Sequence, residues 1–385
     1  MSPARSAAAA SHCDYAARLA RAWQLHRQPR SAQAPAVVSL FAGCGGSSLG
    51  YSLAGFRELL AVECDANAVA TYQLNFPDTK VYHGDIAQLT GAECLRLAGL
   101  RPGELDVLDG SPPCQGFSLS GRRLMQDARN YLYLEYVRLL EALQPRAFIM
   151  ENVGGLVTGK MKLVFAEMLR ALRGAGYQVS VRLLNSAYFG VPQARRRLIF
   201  AGMRGDLGTA PSHPPATHCQ PITVRQALQD VVNDPAELAE LREAGRRFGA
   251  YSQWHRLRPG QNLPDITGRT AGFSCVKVDP DKPAPTICKN DGLLRMHGLM
   301  HWAERRRFTT AEYKRLMSFP DEFQFAGSWS DAVQRMGNAV PPLLLQAVAA
   351  HLRQLLEAAG SPASPEQDPS PGPRLAAAGL ESIVG

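Results

Sequence analysis

Short apolar runs alternate with amphipathic segments over residues 37–205, and this alternation restricts the possible folds more than any other feature of the chain. Apolar residues that recur with a period of 3.6 indicate helices, whereas short apolar runs bounded by glycine or proline indicate buried strands. The predicted strands begin at residues 37, 59, 81, 105, 147, 177 and 198. Strands separated by helices predict an α/β fold with a doubly wound, mostly parallel sheet.

Residues of clear chemical use follow the first three predicted strands. Gly43 and Gly45 come after the first strand, Glu63 ends the second, and Asp85 follows the third. Because ligands bind outside the carboxyl ends of parallel strands, we expect these residues to line one ligand site. Glycines at a helix start permit close approach of a nucleotide-like ligand, and an acid after the second strand suits a ribose diol. For the glycines alone, a tight turn without any ligand is the alternative.

A lone cysteine follows the fourth predicted strand. Cys114 comes directly after Pro112 and Pro113, which hold it rigidly at the sheet edge next to backbone N–H groups. Such a place favours a nucleophilic thiol, and a small buried apolar side chain is the alternative. Glu151 stands at the end of the fifth strand and therefore presents a carboxyl at the same edge.

The strand–helix rhythm breaks between residues 208 and 300, where prolines and glycines interrupt short irregular runs. Residues 251–310 carry ten lysines and arginines against five acids, with aromatic residues interleaved. This mixture suits a nucleic-acid surface, and an ordinary solvated small domain is the alternative. The net charge of +8 for the whole chain also favours a polyanionic partner.

Composition argues against two other classes of protein. No apolar run is long enough to span a bilayer, so we expect no membrane partner. The eight cysteines include no C-x-x-C pair, and no signal peptide is recognisable, which predicts reduced thiols in a cytosolic protein. The histidine and cysteine pairs lack a completing second pair, so no metal site is expected.

Six segments, in this order, resemble the DNA (cytosine-5) methyltransferase family of bacterial type. They are Phe-Ala-Gly-Cys-Gly-Gly (41–46), Gly-Asp-Ile (84–86), Ser-Pro-Pro-Cys-Gln-Gly-Phe-Ser (111–118), Glu-Asn-Val (151–153), Gln193-x-Arg195-x-Arg197 and Gly-Asn-Ala-Val-Pro-Pro (337–342). The resemblance covers about residues 37–205 and 305–355. It implies a Rossmann-like sheet of the S-adenosylmethionine-dependent methyltransferases with a smaller irregular target-recognition domain.

The resemblance also implies a reaction and a site. The family transfers a methyl group from S-adenosylmethionine to C5 of a flipped cytosine in a specific DNA sequence, through a covalent adduct between the cysteine and C6. The catalytic residues implied here are Cys114 as nucleophile, Glu151 as general acid at N3, and Arg195 and Arg197 as contacts of the base O2 that also orient the cysteine or a phosphate. For both arginines, a salt-bridged strand is the structural alternative.

The implied donor site draws on both halves of the chain. Glu63 takes the ribose, and the remaining residues line the turn, the adenine and the far wall: Phe41, Gly43, Gly45, Asp85, Ile86, Asn338 and Val340.

The resulting domain prediction has five parts. These are a loosely ordered basic extension (1–36), a catalytic and cofactor-binding domain (37–207), a target-recognition region (208–300), a return segment that completes the catalytic domain (301–358) and a disordered proline-rich tail (359–385). Tyr15, Leu19 and Trp23 fall four apart, so one short amphipathic helix is expected within the extension.

We expect a cytoplasmic monomer that joins the nucleoid when it binds double-stranded DNA, and a cognate restriction endonuclease remains open as a partner. Three rival functions are considered for the same predicted fold. A dinucleotide-dependent oxidoreductase shares the sheet, but Gly43-x-Gly45-Gly46 departs from the G-x-G-x-x-G spacing. A catalytically silent DNA-binding regulator would not need the catalytic residues. The same chemistry on an RNA cytosine stays open.

Overall fold

A computed structural model of the chain describes residues 15–113, 132–159, 161–248, 251–268, 275–292 and 298–360. Its strands are β1 (Ala36–Leu40), β2 (Arg57–Glu63), β3 (Lys80–His83), β4 (Val107–Gly110), β5 (Ala147–Val153), β6 (Tyr177–Asn185), β7 (Arg196–Arg204), β8 (Cys275–Lys277) and β9 (Gly298–Met300). Its helices are α1 (Tyr15–His26), α2 (Gly46–Leu53), α3 (Ala66–Asn75), α4 (Gly91–Ala98), α5 (Leu132–Leu143), α6 (Met161–Gly174), α7 (Val224–Leu228), α8 (Pro235–Arg247), α9 (Leu263–Thr267), α10 (Thr310–Leu316), α11 (Trp329–Asn338) and α12 (Pro342–Ala358).

The first seven strands form one sheet in the order β3-β2-β1-β4-β5-β7-β6. The pairs β2–β3, β1–β2, β1–β4 and β4–β5 are parallel, whereas β7 runs antiparallel to both β5 and β6. The predicted α/β class with a mostly parallel sheet is therefore confirmed. The reversal of β7 was not predicted. It follows from the connection 186–195, which is too short for the helical crossover that a parallel pair requires.

Both faces of the central strands β1, β4 and β5 are buried, as their continuous apolar sequences require. Alternate residues of β1 enter opposite layers, since Val37 packs with α2 and α12 on one face while Val38 and Leu40 pack with α4 and α5 on the other. The structure also shifts the fourth strand from the predicted start at 105 to 107–110. Gly110 pairs with both Leu40 and Met150, so pairing continues until the prolines end it.

The N-terminal segment differs from the expected loose extension over its described part. The predicted amphipathic helix is present as α1, and its residues Tyr15 and Leu19 are only 5% and 1% exposed. The Tyr15 hydroxyl donates to the carbonyl of Arg315 at 2.9 Å. Burial of this apolar face orders residues 15–26 against the body of the protein. Residues 1–14 lie outside the described part.

The segment predicted as the target-recognition region is more helical than expected. It contains α7, α9 and the 13-residue helix α8, for which the sequence analysis identified no pattern. Val224 and Ala227 of α7 belong to the main core, whereas Tyr251, Leu257, Cys275 and Met300 form a small separate cluster. The assignment of this segment to target recognition remains a prediction.

The last helix returns to the first strand–helix unit, because α12 packs along α2. Among the described residues, no helix combines the length and the apolarity needed to cross a bilayer.

A buried acid between β2 and α2 yields a prediction about stability and pH. Ser48 Oγ donates to Glu58 Oε1 at 2.8 Å, and burial raises the pKa of Glu58 from 4.5 to about 7. The folded state therefore keeps a proton that the unfolded chain loses, and stability falls as pH rises from 4.5 to 7. Glu58→Gln keeps the acceptor without the charge. We expect it to gain up to roughly 3 kcal/mol relative to the wild type by pH 8.

Calorimetric melting temperatures between pH 4.5 and pH 8 measure this difference. The two proteins should melt alike at the acid end and diverge toward pH 8, and parallel curves would contradict the raised pKa.

Candidate active site

The carboxyl ends of β1, β2, β3, β4 and β5 meet at one edge of the sheet, since these five strands run in the same direction. Among the described residues, this edge carries the predicted site residues of the strand ends: Phe41, Gly43, Gly45, Glu63, Asp85, Ile86 and Glu151. Cys114 and the segment that follows it to residue 131 lie outside the described part, which ends at Pro113 on the preceding side.

The turn after β1 has an unusual backbone. Phe41, Gly43 and Gly45 all have positive φ, at 56°, 57° and 93°. Positive φ costs a phenylalanine energy, and such conformations cluster at ligand sites, where surrounding contacts maintain them. A Cβ atom added to Gly43 would meet no atom of the described residues within 4 Å, so the turn has an open side that could accept a ligand.

The carboxylate of Glu63 faces this turn. Its Oε2 accepts the N–H of Gly43 at 2.8 Å, and its Oε1 accepts the N–H groups of Cys64 and Asp65 at the same distance. A carboxylate can accept about four hydrogen bonds, which leaves capacity at Oε2 for a ligand hydroxyl. The predicted acid of the second strand end is therefore held beside the predicted glycine turn.

The third strand end lies next to Glu63. The N–H of Gly84 donates to the carbonyl of Glu63 at 3.0 Å, which joins the two loops. Asp85 is exposed and caps a short 3-10 helix through the N–H of Ala87, while Ile86 is only 5% exposed. The polar Asp85 and the apolar Ile86, both predicted to contact the methyl donor, therefore lie side by side.

The return segment closes the site from the far end of the chain. A Cβ atom on Gly46 would lie 2.4 Å from the carbonyl oxygen of Val340, so only glycine permits this approach. Arg335 forms an ion pair with Asp65 at 2.8 Å. Val340 is buried and Asn338 is exposed at the end of α11. Tertiary contacts therefore bring these two predicted residues to the glycine turn.

The fifth strand end holds an acid–base pair. Arg197 Nε lies 2.7 Å from Glu151 Oε1, and the two side chains are only 12% and 11% exposed. Val153 pairs with Arg197 and Glu151 pairs with Ile199 across β5 and β7, so Glu151 and Arg197 are diagonal neighbours on one face. A guanidinium at this distance keeps the carboxylate oriented and supplies positive charge beside it.

Asn152 is a site residue that the sequence analysis did not single out, although it lies within the Glu-Asn-Val segment. Its buried Nδ2 donates to the carbonyl of Pro112 at 3.3 Å, and its Oδ1 accepts the N–H of Val153. Asn152 therefore ties the loop that leads to Cys114 to the strand that carries Glu151. The sequence feature that could have identified Asn152 is its position directly after Glu151.

Arg195 has different partners from those expected. Its Nη1 donates to the carbonyl of Ile287 at 2.7 Å, and its Nη2 donates to the carbonyls of Gly337 and Ala339 at 2.9 Å each. Burial, followed by the nearby Arg197, lowers the pKa of this guanidinium. The side chain is 1% exposed, and both of its Nη atoms donate to backbone carbonyls. The geometry therefore does not support a direct hydrogen bond from Arg195 to the base O2.

The fold and this edge define a methyltransferase-type site, and comparison with known proteins identifies the family. The profile of the C-5 cytosine-specific DNA methylase family matches residues 36–354. The type II methyltransferase M1.HphI of Haemophilus parahaemolyticus is 34% identical over 331 residues, covering 81% of this chain and 85% of that protein. The type II methyltransferase M.XorII of Xanthomonas oryzae pv. oryzae is 31% identical over 390 residues, covering 91% and 90%.

A solved structure agrees with these sequence matches. It is that of a protein assigned as a DNA modification methyltransferase and encoded within an E. coli prophage. It superimposes with a TM-score of 0.67 at 25% identity, covering 84% of this chain and all of that one. The chain belongs to the C-5 cytosine-specific DNA methylase family and is a DNA (cytosine-5-)-methyltransferase.

The contacts of Arg195 predict that its replacement lowers the stability of the protein. Arg195→Met leaves three carbonyls without their hydrogen-bond donor, two of them in buried contacts, which should cost roughly 3 kcal/mol of stability. Arg195→Lys keeps the charge and part of the bonding, and it should lose less. Melting temperature and methyl-transfer rate, measured on the same samples, test this. Unchanged melting with lost activity would instead favour the direct contact with the base.

Proposed function

We propose that this methyltransferase acts on a specific sequence in double-stranded DNA, with S-adenosylmethionine as donor and Cys114 as nucleophile. The observation that carries the proposal is the Glu151–Arg197 pair at 2.7 Å beside Asn152, which holds the loop leading to Cys114. The glycine turn and Glu63 stand on neighbouring strands of the same edge. A donor and an acceptor bound there would meet at the carboxyl ends of β1, β4 and β5.

The residues around the glycine turn fit the donor. The open side of Gly43 gives room for the amino-acid part or the ribose, and Glu63 Oε2 can accept a ribose hydroxyl. Asp85 offers an acceptor and Ile86 an apolar contact for the adenine, while Asn338 and Val340 close the far side. Bound S-adenosylmethionine supplies an activated methyl group.

The acceptor needs activation, because C5 of cytosine is a poor nucleophile. The Cys114 thiolate adds to C6, and the C5–C6 electron pair becomes available at C5. Glu151, in its protonated form, donates its proton to N3 and so neutralises the negative charge that the addition places on the ring, and it takes the proton back when the thiolate leaves. Arg197 stabilises the same charge and orients Glu151. The electron pair at C5 takes the methyl group, whose bond to the donor sulfur breaks and leaves S-adenosylhomocysteine. A water molecule then accepts the C5 proton, the C–H electron pair re-forms the C5–C6 double bond, and the thiolate leaves C6.

The target base must leave the duplex stack to reach these groups, at a cost of about a few kcal/mol. The segment 208–300 is proposed to read the sequence around it, and the net charge of +8 supports attraction to DNA. The relatives are type II methyltransferases, so we propose a modification role with a defined target sequence and, where the host encodes one, a cognate restriction endonuclease. We propose a monomer that works in the cytoplasm on nucleoid DNA.

The covalent step predicts a trapped enzyme. The substrate is a DNA duplex in which 5-fluorocytosine replaces every cytosine, so the modified base is present in the target sequence whatever that sequence is. Fluorine cannot leave C5 as a cation, so the reaction should stop at a protein–DNA adduct that survives denaturing electrophoresis and requires S-adenosylmethionine. Cys114→Ala should form no adduct, whereas Cys219→Ala, which removes an exposed thiol outside the site, should react normally.

The same assay separates the alternatives. An adduct on fluorocytosine RNA but not on DNA would move the substrate to RNA. Normal turnover of Cys114→Ala would disprove the covalent mechanism, and the absence of an adduct with either polymer would contradict the trapping prediction.

Sequence specificity is a separate prediction. Bisulfite sequencing of DNA from cells that express the protein should show 5-methylcytosine at one short recurring sequence, since a type II modification enzyme protects a defined site. Cells that express Cys114→Ala give the matched background. Methylation scattered without regard to neighbouring bases would contradict the recognition role proposed for residues 208–300.

A further inference from the structure

Helix α1 lies outside the segment that the family profile matches, which begins at residue 36. It is nevertheless well packed, with Leu19 only 1% exposed. Its last residue, His26, reaches the two helices that follow β1 and β2. The ring contacts Ser52 near the end of α2 and the carbonyl of Asn75 at the end of α3. These are the helices that begin next to the glycine turn and next to Glu63.

The partners of His26 determine its tautomer. Its Nε2 lies 3.1 Å from the carbonyl of Asn75, which can only accept, so Nε2 carries the proton. Its Nδ1 is then the acceptor for the Ser52 hydroxyl at 2.8 Å. Burial lowers the pKa of His26, which favours this neutral form. One imidazole therefore joins α1 to α2 and to α3 in a defined orientation.

The ring of His26 also positions Phe76. The two ring centroids are 5.0 Å apart at 68°, an edge-to-face contact. Tyr72 stacks on Phe76 at 4.5 Å, and Phe323 lies against it at 6.4 Å. Phe76 is thus held by aromatic side chains from α1, from α3 and from the segment before α11.

Phe76 in turn packs directly on the glycine turn. A Cβ atom on Gly45 would lie 2.4 Å from Phe76 Cε2, and Gly45 has φ of 93° at the start of α2. The ring occupies the space that a side chain at this position would need. A shift of Phe76 would therefore allow the turn to relax away from the conformation that faces Glu63.

We propose that α1 supports the methyl-donor site, with His26 as a positioning residue that fixes Phe76 against Gly45 and thereby sets donor affinity. The inference rests on the proposed donor site. Arg30 strengthens the same connection, because its Nη2 donates to the carbonyls of Leu25 and Ser52 and so fastens the end of α1 to α2. The support acts on the turn at Gly45, two residues after the open position at Gly43.

Calorimetric titration of the full chain with S-adenosylhomocysteine tests the proposal. His26→Ala should raise the dissociation constant roughly fivefold, because the turn loses its fixed backing. His26→Gln keeps a donor near the position of Nε2 but lacks the ring that packs on Phe76, so it should recover only part of the affinity. In steady-state assays, His26→Ala should raise the KM for S-adenosylmethionine while kcat at saturating donor changes little.

Two controls separate positioning from general destabilisation. Tyr15→Phe removes the buried hydrogen bond to the Arg315 carbonyl from the same helix, far from Phe76 along α1. It should leave donor affinity unchanged even if the melting temperature falls. Phe76→Leu removes the ring without touching the hydrogen bonds of His26, and it should weaken donor binding as much as His26→Ala or more. It also provides the test if His26→Ala does not fold.

Glu63→Ala distinguishes failure of this inference from failure of the donor site. If Glu63→Ala weakens binding while His26→Ala and Phe76→Leu bind normally, the support role is wrong and the donor site stands. If Tyr15→Phe weakens binding as much as His26→Ala, the effect is general destabilisation and the proposal is overturned. If Glu63→Ala also binds normally, the donor site lies elsewhere and both proposals fall.

Discussion

Contact between the return segment and the glycine turn is the constraint on which the rest of the site depends. Gly46 lies against the carbonyl of Val340, and α12 packs along α2. The proposed donor site therefore has one wall from each end of the family segment, and bringing Val340 to Gly46 closes a loop of almost three hundred residues. The ion pair of Arg335 with Asp65 adds a polar contact to this packing.

The two arginines of the Gln-x-Arg-x-Arg segment have separate tasks. Arg197 lies within β7 and faces Glu151 at the sheet edge, whereas Arg195 precedes β7 and donates to carbonyls of residues 287, 337 and 339. Gln193 completes this framework, because its Oε1 accepts the N–H of Ile287 at 3.2 Å. One short segment therefore contacts the proposed catalytic residue Glu151, the return segment and the proposed recognition region.

The glycine turn is held on several sides by groups of different origin. Glu63 bonds it through Gly43, Val340 meets it at Gly46, and Phe76 covers it at Gly45. The first two contacts lie within the family segment, whereas the backing of Phe76 by His26 comes from a helix that precedes it. A rigid turn is what a binding site needs, since its geometry must exist before the ligand arrives.

The sequence by itself determined the α/β class, the approximate positions of the seven strands and of α2, α5 and α6, and the order in which Gly43, Glu63, Asp85 and Glu151 follow their strands. These features depend on local periodicity and chain order, and parallel strands then bring their ends to one edge. Only the tertiary structure decided the reversal of β7, the carbonyl partners of Arg195 and the docking of α1 on residues 52 and 75. Each of these rests on contacts between residues far apart in the chain, and no local pattern encodes which distant surface a buried side chain will meet.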